Sequence, residues 1–136
     1  LEDARKAIEY GMECCDILKI SDNELTFMTG EKDYDKGAVL LQQKYQIPLV
    51  CVTLGKDGSR AYYKGLTIKA EPFLQKNTIE TTGAGDTFTG YFLMAQEKGF
   101  SAEQCLSIAA QASAIAVSRK GASVSVPVWA ELQMDL

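Results

Sequence analysis

The chain has 136 residues, is 46% hydrophobic and carries a formal net charge of −4, which suits one packed globular domain. The acidic balance argues against nucleic acid or an anionic membrane as partner, and no apolar run reaches the roughly 18–20 residues of a membrane span. Having no His, the chain cannot run Ser-His-Asp or Cys-His catalysis. Its four cysteines lack CxxC spacing, which argues against a zinc site, and they read as reduced thiols of a cytoplasmic protein. The first residues, Leu-Glu-Asp, already continue a helical pattern, so the chain is expected to be part of a longer protein.

Residues 1–14 place Ala4, Ala7, Ile8 and Met12 at helical spacing. Asp16 to Ile20 is a short apolar run that predicts a buried strand. Ser21 or Asp22 then caps a short helix that Gly30 stops. A second helix is predicted over 34–46, ending before Pro48. Leu49 to Leu54 is the strongest strand signal, apolar and β-branched as a strand covered on both faces should be. Lys56-Asp57-Gly58 is turn chemistry, and 59–63 and 66–70 read as a hairpin around Gly65. Helices are predicted over 85–98, ended by Gly99, and over 102–117, capped by Ser101 with Glu103-Gln104. Residues 123–128 are expected to run extended, and the tail from Trp129 to form a last helical turn.

Strand, helix, strand, hairpin and helices make an α/β pattern, read as a single domain over 1–136. In open α/β sheets ligands lie at the C-terminal strand ends. Three polar clusters follow strands, 21–24, 53–58 and 80–86, and are expected to share one face. The most informative stretch is 78–92. Gly83 and Gly85 bracket Ala84, so the backbone can turn with its amides unobstructed, and a helix follows directly. Such a turn aims unpaired N–H groups and a positive dipole end at one spot and binds anions, phosphate most often. Asp86 would repel a phosphate unless it has another task, such as taking a proton from a hydroxyl nucleophile. Phosphoryl transfer to an alcohol follows as the expected chemistry.

Glu80-Thr-Thr-Gly-Ala-Gly-Asp86-Thr-Phe resembles the C-terminal signature of the ribokinase-like (pfkB) carbohydrate kinases, usually Asp-Thr-x-Gly-Ala-Gly-Asp-x-Phe. Lys19 to Gly30 is similar to the segment bearing that family's Asn-x-x-Glu motif. Val52 to Gly58 is similar to its phosphate-side strand and turn, and Ala116 to Ala122, with Ser125 and Pro127, to its closing loop. Together these cover nearly the whole chain, as the C-terminal, nucleotide-binding part of such a kinase. The fold implied is a three-layer α/β/α sandwich with a mostly parallel central sheet.

The resemblance implies ATP, Mg²⁺ and K⁺ as cofactors, a small-molecule sugar as acceptor, and a homodimer of the full-length protein. Asp86 would be the general base, and the amides of Gly83, Ala84 and Gly85 the anion hole. Thr53, Gly55 and Gly58 would line the nucleotide phosphates, with Ser21 and Glu24 beside them and Glu24 acting on the Mg²⁺ hydration shell. Ala116, Arg119 and Gly121, through backbone carbonyls, with Ser125 and Glu80, would form a monovalent-cation site. Two departures stand out. Glu80 replaces the signature's first Asp, and Ser21 replaces the Asn of Asn-x-x-Glu, a variant associated with fructokinase-like members. A nucleoside kinase of the same fold and a non-catalytic nucleotide- or sugar-sensing domain are the alternative readings. The 136 residues alone, lacking half a sugar pocket, are expected to be inactive.

Overall fold

The computed structural model describes residues 2–73 and 77–133. These gather into two compact units, Leu1–Leu54 with Arg60–Thr67, and Gly55–Ser59 with Ile68–Leu136.

In the first unit α1 (Glu2–Cys14) buries Met12 and leaves its charges outside. β1 (Ile17–Ser21) follows, and α2 (Asp22–Thr29) starts on a capping box. There the Ser21 hydroxyl accepts from Glu24 N and the Glu24 carboxylate accepts from Ser21 N. Gly30, with φ 73°, ends α2 by donating its N–H to Thr26 O. α3 (Tyr34–Tyr45) is capped by Asp33 and stops at Gln46 in the left-handed region. α3 approaches α2 at Gly37, where a Cβ would stand 3.1 Å from Leu25 Cγ. β2 (Leu49–Thr53) is buried along nearly its whole length. Leu25, Val50 and Val52 exclude solvent completely. Burying one such side chain stabilises by about 1.5–3 kcal/mol, against about 1 kcal/mol for a cap, so packing rather than capping decides where these elements sit.

β1 and β2 run parallel, in register from Ile17–Leu49 to Ser21–Thr53. β3 (Ser59–Tyr63) and β4 (Leu66–Ala70) complete the sheet in the order β1-β2-β3-β4. Lys64 and Gly65 join them with positive φ, 49° and 76°, as the tight turn of an antiparallel hairpin requires. The sheet is therefore mixed, one parallel pair and one hairpin among the described residues. Asp35 on α3 accepts from Tyr62 OH at 2.7 Å and Arg60 Nη1 at 2.9 Å, and Gln42 Nε2 donates to Tyr62 O at 2.9 Å.

In the second unit α4 (Ala84–Glu97) and α5 (Ala102–Val117) pack on one another. Phe88, Phe92 and Ala95 form one buried stripe on α4, and Cys105, Leu106 and Ala109 are buried on α5. Ser113 Oγ, donating to Ala84 O at 3.0 Å, ties the middle of α5 to the start of α4. Ser101 and Gln104 form the capping box of α5. The stretch 123–128 does not run extended from its start. A 3-10 turn occupies Ser123–Ser125, because Ser125 returns both its N–H and its hydroxyl to Ala122 O, at 3.2 and 2.6 Å. A further 3-10 turn at Trp129–Glu131 stacks Trp129 on Tyr91, ring centroids 6.2 Å apart. Cys14, Cys15 and Cys105 are free thiols, and no described helix is long and apolar enough to cross a membrane.

Candidate active site

Gly83 is the N-cap of α4, with φ 78° and no side chain to offer the first amides. A methyl group there would stand 3.7 Å from Ala122 Cα, so the turn lies close against the loop that follows α5. The positive φ is one that only glycine adopts without strain. Ala84 N donates to Thr81 O at 3.2 Å, which withdraws that amide from the expected anion hole. The amides of Gly85 and Asp86 follow in the first helical turn, where no side chain caps them. Asp86 is exposed on that same turn, and its negative charge sits favourably at the positive dipole end.

Asp86 also lines a cavity of about 600 Å³, walled by Thr87, Tyr91 and Met94 of α4 and by Val126 and Trp129 beyond the closing loop. Sequence reasoning did not single out Thr87, Tyr91 and Met94 as a wall. Their signal is the spacing i, i+4, i+7 running directly from the acid. The Thr87 hydroxyl is buried without a hydrogen-bond partner among the described residues.

The residues assigned to a monovalent cation converge in this unit. Ile79 N and Glu80 N both donate to Val117 O, at 2.7 and 3.2 Å, docking the approach segment on the end of α5. Glu80 Oε2 accepts from Gly121 N at 2.9 Å, and this bond, with the nearby Thr82 side chain, holds the Glu80 carboxyl below the usual carboxylate range. Ala116 O accepts from Arg119 N at 3.1 Å. Arg119 pairs with Glu131 through its guanidinium, so its side chain serves the tail. Ser125, buried to 1% exposure, donates to Ala122 O.

In the first unit Ser21 and Thr53 are cross-strand partners at the C-terminal ends of β1 and β2. Glu24 is bonded to Ser21 N at 2.8 Å through Oε2, which fixes the carboxylate. In the second unit Gly55 opens a 3-10 turn (Gly55–Asp57) that Gly58 follows, with φ 55° and 87°. Space around them differs: a Cβ on Gly55 meets nothing within 4 Å, whereas one on Gly58 would lie 2.2 Å from Ala70 O.

The Glu24 bond has a pH consequence. Ser21 N–H, the largest cause, keeps the Glu24 carboxyl below its ordinary value of 4.5. A carboxyl depressed in the folded state contributes stability above its unfolded pKa and loses it as pH falls through the folded value. Amide exchange at Ser21, followed from about pH 7 to about pH 3, should therefore lose protection only below the unfolded value. Because Glu24 is exposed, solvent screening keeps the effect on global stability small.

A profile of the pfkB family carbohydrate kinases matches residues 1–129. The chain belongs to this family. Ribokinase of Arabidopsis thaliana is 36% identical over 121 residues, covering 85% of this chain and 32% of that protein. Fructokinase-2 of Solanum lycopersicum is 31% identical over 137 residues, covering 96% of this chain and 42% of its own length. The chain thus spans less than half of these relatives. Arabidopsis ribokinase complexed with ribose and ATP superposes with TM-score 0.79 at 33% identity, over 88% of this chain and 40% of that one. A double mutant of Vibrio cholerae fructokinase, bound to fructose, ADP and potassium ion, gives TM-score 0.84 at 27% identity, over 95% and 43%. The pfkB chain described here therefore carries the C-terminal part of a ribokinase-like α/β fold.

Proposed function

We propose that the protein carrying this chain is a cytoplasmic ATP-dependent kinase that phosphorylates a sugar hydroxyl, with a fructose-type ketose as first choice. One observation carries the reading. Asp86 sits in the first turn of a helix opened by a side-chain-free glycine N-cap, on the wall of a cavity large enough for a small molecule. Asp86 would take the proton from the acceptor hydroxyl as it attacks. The uncapped amides of Gly85 and Asp86, with Gly83, would stabilise charge developing on the transferred phosphoryl group. Thr53, Gly55 and Gly58 would border the nucleotide phosphates.

Mg²⁺, when bound with the nucleotide, neutralises phosphate charge and keeps several waters. The donor set fits that use, since Glu24 is a carboxylate held in place by Ser21 N. Support for the sugar comes from the relatives, which are named fructokinase and ribokinase, and from Ser21 in place of Asn.

The test is an ATP-coupled screen of the full-length protein across ketoses, aldoses and nucleosides. Turnover with fructose at the highest kcat/KM is the expected result. A nucleoside as best acceptor would move the protein to the nucleoside kinases, and nucleotide binding without turnover on any acceptor would make it a sensor. The 136 residues alone should turn over no sugar.

A further inference from the structure

The family resemblance points to a monovalent cation near the loop after α5, and the Vibrio cholerae fructokinase double mutant is bound to potassium ion. Glu80 Oε2 is aimed at Gly121 N–H, Ala116 O accepts from Arg119 N, and the Ser125 hydroxyl proton is directed at Ala122 O. Glu80 Oε2 and Ala116 O thus face protein N–H donors, and the Ser125 hydroxyl spends its proton on Ala122 O, so these groups are turned to the protein rather than to an open cation cage. The extra methylene of Glu over Asp supplies about 1.5 Å of reach, and the carboxylate uses it to bond across the loop.

We propose that Glu80 performs in this chain the tethering that a bound cation would otherwise perform. Its carboxylate pins Gly121, and with it Ala122, against the Gly83 turn. Three features carry this. The backbone before the carboxylate is fixed, because Ile79 N and Glu80 N both bond to Val117 O. Gly121 has φ 103°, and a Cβ there would fall 2.6 Å from Val124 Cγ2, so the loop backbone takes a form that exposes its N–H to Glu80. Ala122, one residue on, lies against Gly83. A carboxylate–amide bond is charge-assisted and stronger than a neutral one. The proposal deepens the kinase reading, since the loop it holds borders the anion turn, and it predicts a kinase whose loop order and nucleotide affinity do not depend on K⁺.

The test uses the full-length protein in KCl and in tetramethylammonium chloride of matched ionic strength, so that screening is constant. Hydrogen exchange over the peptide containing 116–125, together with ADP affinity, is read in both salts. The wild type should show the same protection and the same ADP affinity in the two salts. E80A should exchange at Gly121 about tenfold faster, in proportion to the loss of one charge-assisted hydrogen bond. E80Q keeps an acceptor oxygen and should fall between them. E80D, too short to reach, should be unprotected in tetramethylammonium and gain protection in K⁺. Wild-type loop protection or ADP affinity rising tenfold with K⁺ would overturn the proposal, as would E80A exchanging like the wild type. Neither readout needs turnover. A protein that phosphorylates no sugar but shows the E80A effect would refute the kinase reading alone.

Discussion

Replacing Asp86 by Ala in the full-length protein should lower kcat by about 10²–10⁴-fold, the range contributed by a positioned general base. That factor corresponds to about 3–5 kcal/mol of barrier. The same substitution also removes a carboxylate from the first turn of α4, which costs about 0.3–1 kcal/mol of stability. The catalytic loss therefore exceeds the structural one several-fold, and the two separate experimentally. Coupled-assay kcat should collapse while the melting temperature and ADP affinity move little. Asp86→Asn, which keeps the shape and removes the base, should match Ala in kcat. A variant retaining near-normal kcat would remove Asp86 from the proton transfer. A collapse of melting temperature in step with kcat would make it a cap rather than a base.

The second large effect falls on Gly58 and is structural. Gly58→Ala should destabilise the chain by roughly 3 kcal/mol or more, combining a left-handed backbone unfavourable to Ala by about 1–2 kcal/mol with overpacking worth about 1–3 kcal/mol. The clash is with Ala70 O, 2.2 Å from the added carbon, and with Pro72 N at 3.1 Å. Both are backbone atoms, which cannot rotate aside as a side chain tip would. Gly55→Ala supplies the control. It shares the positive φ but meets nothing within 4 Å, so only the conformational part, about 1–2 kcal/mol, applies. Denaturant melts of both variants should show Gly58→Ala midpoints well below those of Gly55→Ala. Equal midpoints would mean that β4 can move away. The comparison also bears on function, because a glycine assigned to phosphate contact is required at 58 by backbone conformation and packing, whatever it contacts.

Much of this protein is legible along the chain because the deciding forces are local. Ser21 with Glu24, and Ser101 with Gln104, announce their helices by capping spacing, and both boxes form. The glycine turn before Asp86 is likewise local: it needs only positive φ at Gly83 and no competing side chain. The departure at Glu80 is equally visible in the sequence, as a single substitution in a signature. Where the expectations shifted, a contact distant in sequence or a backbone alternative had intervened. Ala84 N bonds Thr81 O instead of standing free, and Ser125 folds back on Ala122 O to replace an extended start with a 3-10 turn.

The order of residue types determined the family, the glycine turn and the acid beside it, because these depend on backbone freedom and charge within a few positions. Only the tertiary structure decided what Glu80 bonds, since Gly121 lies 41 residues away. It alone brought Val126 and Trp129 to the wall beside Asp86, and showed why Gly58 tolerates no side chain. Those depend on which distant backbones meet, and no spacing rule along one strand or helix encodes that meeting.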